Sequence, residues 1–294
     1  MSAFARVRLR DEAYPPLLRA IHDPPPVLHL RGESGAGMLQ LPAVAVVGAR
    51  SCSSYGRSVA RSLGRELAAA GLVVVSGMAR GVDGEAHRGA LDAGGSTVAV
   101  LGCGIDRDYP AAHAELARRI CERGLVVSEY EPGVEPAPWR FPARNRIIAG
   151  LCRATVVVEA RERSGALITA DFALEEGREV LAVPGEITSS LSAGTNALLR
   201  IGAAPVTRVE DLLELFDLAA ASAPEPRLAP AAQALLAQLR EGALTADELL
   251  RAAAVDAAQA SAALLELELA RLVSLEDGVY RAAVPGPAGA SHGS

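Results

Sequence analysis

Six short, almost wholly apolar runs alternate with segments of helical length and period along this chain, and this alternation is what most constrains its fold. The runs are Val44–Gly48, Leu72–Gly77, Thr97–Gly102, Leu125–Glu129, Thr155–Glu159 and Val180–Pro184. Strands that are hydrophobic on both faces belong in a parallel sheet that is covered by helices on each side. We therefore predict a doubly wound, mostly parallel α/β domain over residues 43–217.

The carboxyl ends of these strands form the edge where such a sheet binds its ligand. At this edge the sequence places Gly48-Ala-Arg50, Ser76-Gly77, Gly102-Cys-Gly104 and Pro184-Gly185. The segment from Gly48 to Gly56 also leads into a helix, whose N–H groups and dipole favour an anion such as a phosphate. The segment is not a GxGxxG motif, however, and a glycine turn also simply connects a strand to a helix. We favour an anion-binding role for Gly48 and Arg50.

The remaining residues divide into four further segments. Residues 1–42 are a proline-rich N-terminal extension, and residues 218–227 have the composition of a linker. Residues 228–283 contain three helical stretches and then a hairpin with an Asp277-Gly278 turn, which predicts a small winged-helix domain. Its second helix opens on a capping box, Thr245-Ala-Asp-Glu248. Residues 284–294 are rich in Pro, Gly, Ala and Ser, and we predict a disordered tail.

Charge and cysteine usage exclude several classes of protein. The formal net charge is −6, and all 29 cationic side chains are arginine because the sequence contains no lysine. A P-loop lysine and a Schiff base are therefore excluded, and any nucleic-acid site must be local rather than a broad basic face. The four cysteines form no CxxC pair, so we expect reduced thiols, no metal and no cofactor. No apolar signal or membrane segment follows the N-terminal arginines, which predicts a cytoplasmic protein.

One segment combines cationic and aromatic side chains, and it predicts a nucleic-acid site. The run Trp139-Arg-Phe-Pro-Ala-Arg-Asn-Arg146 holds the only tryptophan, a phenylalanine and three arginines, and no acidic residue occurs from Trp139 to Val158. Guanidinium groups bind phosphates while aromatic faces stack on bases, a combination that suits single strands. Two alternatives stay open. The arginines can bind carboxylates of a neighbouring subunit or of Glu129 and Glu159, and the rings of Trp139 and Phe141 can belong to the core.

Two further motifs have structural and functional interpretations. Ser164 and Gly165 open a helix directly after a strand, and the hydroxyls of Ser164 and Thr169 can donate to a phosphate, although a serine at this position is equally a helix cap. Asp83 and His87 lie one helical turn apart, a spacing that allows acid/base chemistry. We favour a structural pair that fixes the start of the helix.

From Tyr14-Pro15 to Ala203 the chain resembles the DNA-processing protein A family, also called Smf, which has a Rossmann-like core. The matching blocks include Gly48-x-Arg50, Ser76-Gly77-x-Ala79-x-Gly81-x-Asp83, Gly102-x-Gly104, Tyr109-Pro110, Phe141-Pro142-x-Arg144-Asn145-Arg146, Ser164-Gly165, Thr169-Ala170 and Ala182-Val183-Pro184-Gly185. The resemblance implies single-stranded DNA binding, homodimers formed through the core domain, and help for RecA in assembling on incoming DNA during natural transformation.

We therefore predict a non-enzymatic, single-stranded DNA-binding recombination mediator. Its DNA-binding residues are predicted to be Gly48, Arg50, Trp139, Arg140, Phe141, Arg144, Asn145, Arg146, Ser164, Gly165 and Thr169. The alternative is an enzyme of a related Rossmann-like fold that hydrolyses nucleoside monophosphates at the ribose. Those enzymes have a Pro-Gly-Gly-x-Gly-Thr-x-x-Glu block, whereas this chain has Pro184-Gly185-Glu186 and, further on, Gly194-Thr195-Asn196.

Overall fold

A computed structural model describes residues 4–218, 228–253, 255–270, 272–276 and 278–282. The chain divides into two compact units, residues 1–221 and 222–294. Apart from residue 218, the predicted linker lies outside the described residues, as do the predicted tail and Asp277 of the predicted hairpin turn. Within the described part, none of the helices combines the length and apolar character needed to cross a lipid bilayer.

The first unit is built on one large mixed sheet. In residues 4–218 its strands, in chain order, are β1 Ala5–Arg8, β2 Val27–Arg31, β3 Ala43–Val47, β4 Val73–Ser76, β5 Thr97–Val100, β6 Leu125–Ser128, β7 Ala154–Val157, β8 Glu179–Ala182 and β9 Ala204–Pro205. Their spatial order is β1-β2-β6-β5-β4-β3-β7-β8-β9. Every pairing from β6 to β9 is parallel. The predicted doubly wound, mostly parallel α/β fold is confirmed.

Helices cover both faces of this sheet. They are α1 Pro16–Arg19, α2 Ser54–Ala69, α3 Val82–Asp92, α4 Ala114–Arg123, α5 Arg140–Leu151, α6 Gly165–Glu175, α7 Ala193–Arg200 and α8 Glu210–Leu213. Along β3, Ala45 and Val47 pack in the core that contains α5 and α6, whereas Val44 and Val46 pack in the core that contains α2 and α3. Successive side chains point to opposite faces, so a strand buried on both sides must be apolar throughout.

The N-terminal segment extends the sheet. Strands β1 and β2 pair with each other in antiparallel fashion, and β2 pairs with β6, also antiparallel. Leu28 and Leu30 are buried in the same core as α5. The residues that the sequence set apart as an extension are thus part of the first unit. Their strands are short and separated by prolines, so no periodic pattern marked them.

The second unit has the predicted winged-helix order. Within its described residues three helices, α9 Pro230–Glu241, α10 Ala246–Ala253 and α11 Ala257–Leu269, accompany a sheet of β10 Leu244–Thr245, β11 Val273–Glu276 and β12 Val279–Ala282. The capping box is formed, because Thr245 N–H donates to Glu248 Oε2 at 2.8 Å and Glu248 N–H donates to Thr245 Oγ1 at 3.4 Å. Asp256 caps α11 by accepting from Gln259 N–H at 2.8 Å.

Candidate nucleic-acid interface

The candidate site lies where the order of the strands reverses. Strand β3 is hydrogen-bonded to both β4 and β7. The chain leaves β3 for a helix on one face and leaves β7 for α6 on the other face. The two loops diverge and leave a crevice at the carboxyl edge of the sheet, the usual ligand position in such folds. A pocket of about 410 Å³ occupies this crevice.

Most of the predicted site residues meet in this pocket. Those that line it are Gly48, Arg50, Phe141, Arg144, Asn145, Ser164, Gly165 and Thr169. Trp139, Arg140 and Arg146 do not line it. The pocket therefore unites the loop after β3 with the starts of α5 and α6, which are distant in sequence.

Arg50 is held by its backbone and presents its side chain to the pocket. A side chain on Gly48 would lie 2.6 Å from Val82 Cγ2, so only glycine lets the loop lie this close to α3. Ala49 N–H donates to Glu159 O at 2.7 Å, which fixes the same loop. The Arg50 guanidinium is exposed and lies 5.5 Å from the centroid of the Phe141 ring. Among the described residues no carboxylate is within ion-pair distance of it, which leaves its charge available for a phosphate.

The N-terminus of α2 is occupied by a carboxylate of the protein itself, that of Glu159. The Glu159 carboxylate accepts from Ser53 N–H at 2.8 Å and from Ser53 Oγ at 2.5 Å. A side chain on Gly56 would lie 2.4 Å from Glu159 Oε2, so the helix is shaped around this carboxylate. The sequence suggested that a phosphate binds in the segment from Gly48 to Gly56. The helix end of that segment is instead satisfied internally, because Glu159 follows the neighbouring strand β7.

Arg144 is buried and joins three elements. Its Nη1 donates to Gly77 O at 2.7 Å and to Val100 O, and its Nε donates to Asn145 Oδ1 at 3.1 Å. Burial lowers the pKa of Arg144 to about 10, while the nearby charge of Asp83 acts in the opposite direction. Among the described residues no acceptor is bonded to its Nη2, the one guanidinium nitrogen left for a ligand. Arg144 thus holds α5 against the ends of β4 and β5 while it lines the pocket.

Asn145 and the start of α6 form the opposite wall. Asn145 Nδ2 donates to Gly165 O at 3.1 Å, which ties α5 to α6. Ser164 Oγ accepts from Ala166 N–H at 3.3 Å, so its side chain is the helix cap that the structural interpretation expected. Nothing lies within 4 Å of the position of a Cβ on Gly165, and the backbone there is open to a ligand. Thr169 is buried in the pocket wall.

Arg146 points away from the pocket and is bound to carboxylates. Its Nη1 and Nη2 donate to the two oxygens of Glu129 at 2.8 and 2.7 Å, and its Nε donates to Asp23 Oδ2 at 2.9 Å. Burial by itself lowers the pKa of Arg146, but these hydrogen bonds and charges raise it above its ordinary value. The alternative in which an arginine of this run binds Glu129 is what the structure shows. The phosphate contact predicted for Arg146 has no support in this placement.

Trp139 and Arg140 form a separate exposed cluster. The Arg140 guanidinium lies 4.8 Å from the centroid of the Trp139 ring and 5.0 Å from that of Tyr130. Trp139 is 62% exposed, so it is not a core residue. This cluster lies outside the pocket lining, and one face of the indole is already covered by a cation.

Two pocket arginines were missed by the sequence reasoning. Arg161 and Arg163 follow β7, line the pocket and are exposed. Arg161 Nη1 donates to Ser190 Oγ at 2.9 Å, which orients it along the rim. Their signal was their position just before Ser164, at a strand end already assigned to the ligand edge. The intervening Glu162 obscured the local positive charge.

The predicted pair of Asp83 and His87 is wrong in its partners. Asp83 accepts from Gly77 N–H and Ala79 N–H, each at 3.2 Å, and so fixes the start of α3 alone. His87 Nδ1 lies 2.7 Å from Thr97 Oγ1, and burial lowers the pKa of His87 to about 3. Thr97 Oγ1 donates to Val74 O, so the imidazole Nδ1–H is the donor to Thr97. The spacing was correct for a pair, but the sheet offers each side chain a nearer backbone or hydroxyl partner.

Family models and relatives agree with this architecture. The model "DNA recombination-mediator protein A" matches residues 6–217, and "DprA winged helix domain" matches residues 219–278. DNA processing protein DprA of Streptococcus pneumoniae is 46% identical over 218 residues, which cover 73% of this chain and 75% of that protein. Protein Smf of Escherichia coli is 46% identical over 205 residues, 69% of this chain and 54% of that protein.

Two solved structures share the fold. The Streptococcus pneumoniae DprA structure superposes with a TM-score of 0.69 at 46% identity, covering 72% of this chain and 74% of that one. A Helicobacter pylori DNA processing protein A, described for its unique single-stranded DNA binding mode, superposes with a TM-score of 0.65 at 30% identity, covering 74% of this chain and all of that one. The chain belongs to the DNA recombination-mediator protein A family, also known as DprA or Smf.

Proposed function

We propose that this protein binds single-stranded DNA in the pocket at the β3–β7 crevice. The observation that carries the proposal is the charge of the pocket wall. Three exposed arginines, Arg50, Arg161 and Arg163, line it, and the one carboxylate in its lining, Asp83, is buried against backbone N–H groups and the charge of Arg144. The pocket wall thus carries exposed positive charge, although the net charge of the protein is −6. The single-stranded DNA binding mode described for the Helicobacter pylori relative supports the same ligand class.

In the proposed complex the exposed arginines contact phosphates, and the open backbone at Gly165 adds N–H donors at the carboxyl edge of the sheet. Arg144 contributes through Nη2 while its other nitrogens keep their internal partners. These contacts recognise the backbone of the strand, so they give little base preference.

We further propose that the bound strand is handed to RecA, so that the protein acts in the cytoplasm as a recombination mediator for DNA taken up in natural transformation. The family description supports the mediator role. The test is RecA filament assembly on single strands with and without the protein. The wild type is expected to speed assembly, and an Arg50→Ala variant is expected to lose that effect.

A homodimer formed through the first unit is also proposed. Ile201 and Ile187 are 72% and 95% exposed there, although isoleucine is normally buried. Sedimentation of the full chain is expected to give a dimer, and Ile201→Asp is expected to shift it toward the monomer. A wild-type monomer at micromolar concentration contradicts this part of the proposal.

We propose a binding role rather than catalysis. His87 is buried with its pKa well below neutrality and its Nδ1 is bonded to Thr97, so it is not poised as a general base. The competing hydrolase is tested by incubating the protein with nucleoside monophosphates and measuring free base. Release of base by the wild type, lost in an Asp83→Asn variant, would favour the enzyme.

A further inference from the structure

The aromatic ring in the pocket has little free surface for a base. The Phe141 ring is stacked with Tyr109, with centroids 5.1 Å apart and planes inclined by 25°, and the Arg50 guanidinium lies over the same ring. A side chain on Gly102 would lie 2.9 Å from Phe141 Cδ1, so the strand end also abuts the ring. These neighbours leave the Phe141 side chain only partly exposed.

Tyr109 continues this stack away from the pocket. Arg50 and Phe141 line the pocket at the β3–β7 crevice, whereas Tyr109 does not and instead lines a neighbouring recess of about 350 Å³. Phe141 thus contacts both Arg50, which lines the pocket, and Tyr109, which lines the recess. Tyr109 is 41% exposed, and it contributes ring surface that Phe141 does not cover.

The recess beside Tyr109 suits a base and disfavours a phosphate. Its other charged residues are Asp106, Asp108, Glu135 and Arg107. Arg107 pairs with Glu135 at 2.5 Å, Asp108 pairs with Arg31 at 2.7 Å, and Asp106 Oδ1 accepts from Gly133 N–H at 2.9 Å, so the recess has one more carboxylate than these two arginines neutralise. Carboxylates repel a phosphate but accept hydrogen bonds from the edges of bases. The stacked pair of Phe141 and Tyr109 thus connects the arginine-lined pocket to this recess.

We propose that Tyr109 is a base-stacking residue: when a phosphate of the strand is held at Arg50, the base of a neighbouring nucleotide stacks on the exposed part of the Tyr109 ring. The proposal rests on the proposed single-stranded DNA binding. It assigns the stacking role predicted from the sequence for Trp139 or Phe141 to a third residue, which stacks on Phe141 and is 41% exposed.

Photo-cross-linking tests this assignment without a substitution. Single strands carrying 5-iodouracil are bound to the full-length wild type, irradiated and digested with trypsin. Cleavage after arginine puts Tyr109 in peptide 108–118, Phe141 in peptide 141–144, and both Tyr130 and Trp139 in peptide 124–140. The expected cross-link is in peptide 108–118. A main cross-link in either of the other two peptides, or none at saturating DNA, overturns the proposal.

Substitutions give an independent readout. Tyr109→Ala is expected to weaken single-strand binding at least ~five-fold with no change in its salt dependence, because stacking is not ionic, and Tyr109→Phe is expected to retain wild-type affinity. Tyr55→Ala is the matched control, since Tyr55 is 43% exposed and lines neither the pocket nor the recess. Unchanged affinity of Tyr109→Ala overturns the stacking role alone, whereas a wild type that does not bind single strands overturns the proposed function with it.

Discussion

The guanidinium of Arg144 occupies the space that a side chain on Gly77 would need. A Cβ built on Gly77 would lie 2.2 Å from Arg144 Nη2 and 2.6 Å from its Cζ. The arginine in turn donates to Gly77 O. The glycine after β4 is thus required by the buried cation that holds α5 in place, and the pocket wall depends on both residues.

Gly77→Ala is expected to destabilise the protein by about 1–3 kcal/mol, because the methyl group must push Arg144 away from its acceptors. Urea unfolding followed by circular dichroism measures the change. Gly165→Ala is the matched control. Its methyl group meets nothing within 4 Å and alanine favours a helix, so the stability is expected to be retained. Its affinity for single strands is expected to fall, because the methyl group keeps the DNA away from the backbone. Equal stability of Gly77→Ala and the wild type would show that Arg144 is not fixed there.

Arg50 and Arg146 are expected to separate binding from stability. Arg50→Ala should weaken single-strand binding and reduce the salt slope by roughly 0.7, the value for one phosphate contact on a single strand, without changing the unfolding free energy. Arg146→Ala should leave affinity nearly unchanged and cost about 2 kcal/mol of stability, because Glu129 loses its partner in a half-buried position. DNA titration measures the affinity of both variants, and urea unfolding measures their stability. If Arg146→Ala lost affinity and kept its stability, the phosphate contact first predicted for Arg146 would be supported instead.

His87 is expected to make folding stability depend on pH. Its pKa is about 3 in the folded protein against an ordinary value of 6.5, so only the unfolded chain takes up its proton between these values. The contribution of this pKa shift to the free energy of unfolding is fully present above pH 6.5. It is lost progressively as pH falls toward 3, with a slope of up to about 1.4 kcal/mol per pH unit. The difference in unfolding free energy between the wild type and His87→Gln, measured from pH 7 to pH 5, should follow this slope. A constant difference would mean that folding does not change the pKa of His87.

Removal of the second unit is expected to leave DNA binding largely intact. From Leu228 to Ala283 the sequence has four arginines against eight acidic residues, and α11, the helix that would enter a groove, exposes Leu265 and Leu269. We propose that this unit serves protein contacts or stability. A chain that ends at Asp217 should bind single strands within tenfold of the full chain. A larger loss from a folded, dimeric truncated protein would assign DNA contacts to the winged helix.

The pattern of residues predicted the sheet well and the partners of its polar side chains poorly. The six parallel strands were evident because strands such as β3 are apolar on both faces. The sequence did not show which arginine of residues 140–146 faces the pocket. Arg144 and Arg146 are two residues apart on one helix. Their orientations depend on Glu129 and Asp23, which bind Arg146 and lie in other elements. The binding of the Glu159 carboxylate at the start of α2 could not be predicted either. It depends on the pairing of β3 with β7, which no local sequence pattern specifies.

The most direct test of the central claim is a titration of labelled single-stranded and duplex DNA of equal length with the full chain at several salt concentrations. The arginine-lined pocket predicts tighter binding of the single strand, little dependence on base sequence, and a slope of log affinity against log salt near −2, from about three phosphate contacts at roughly 0.7 each. Equal affinity for duplex, or an affinity that does not change with salt, would contradict the account.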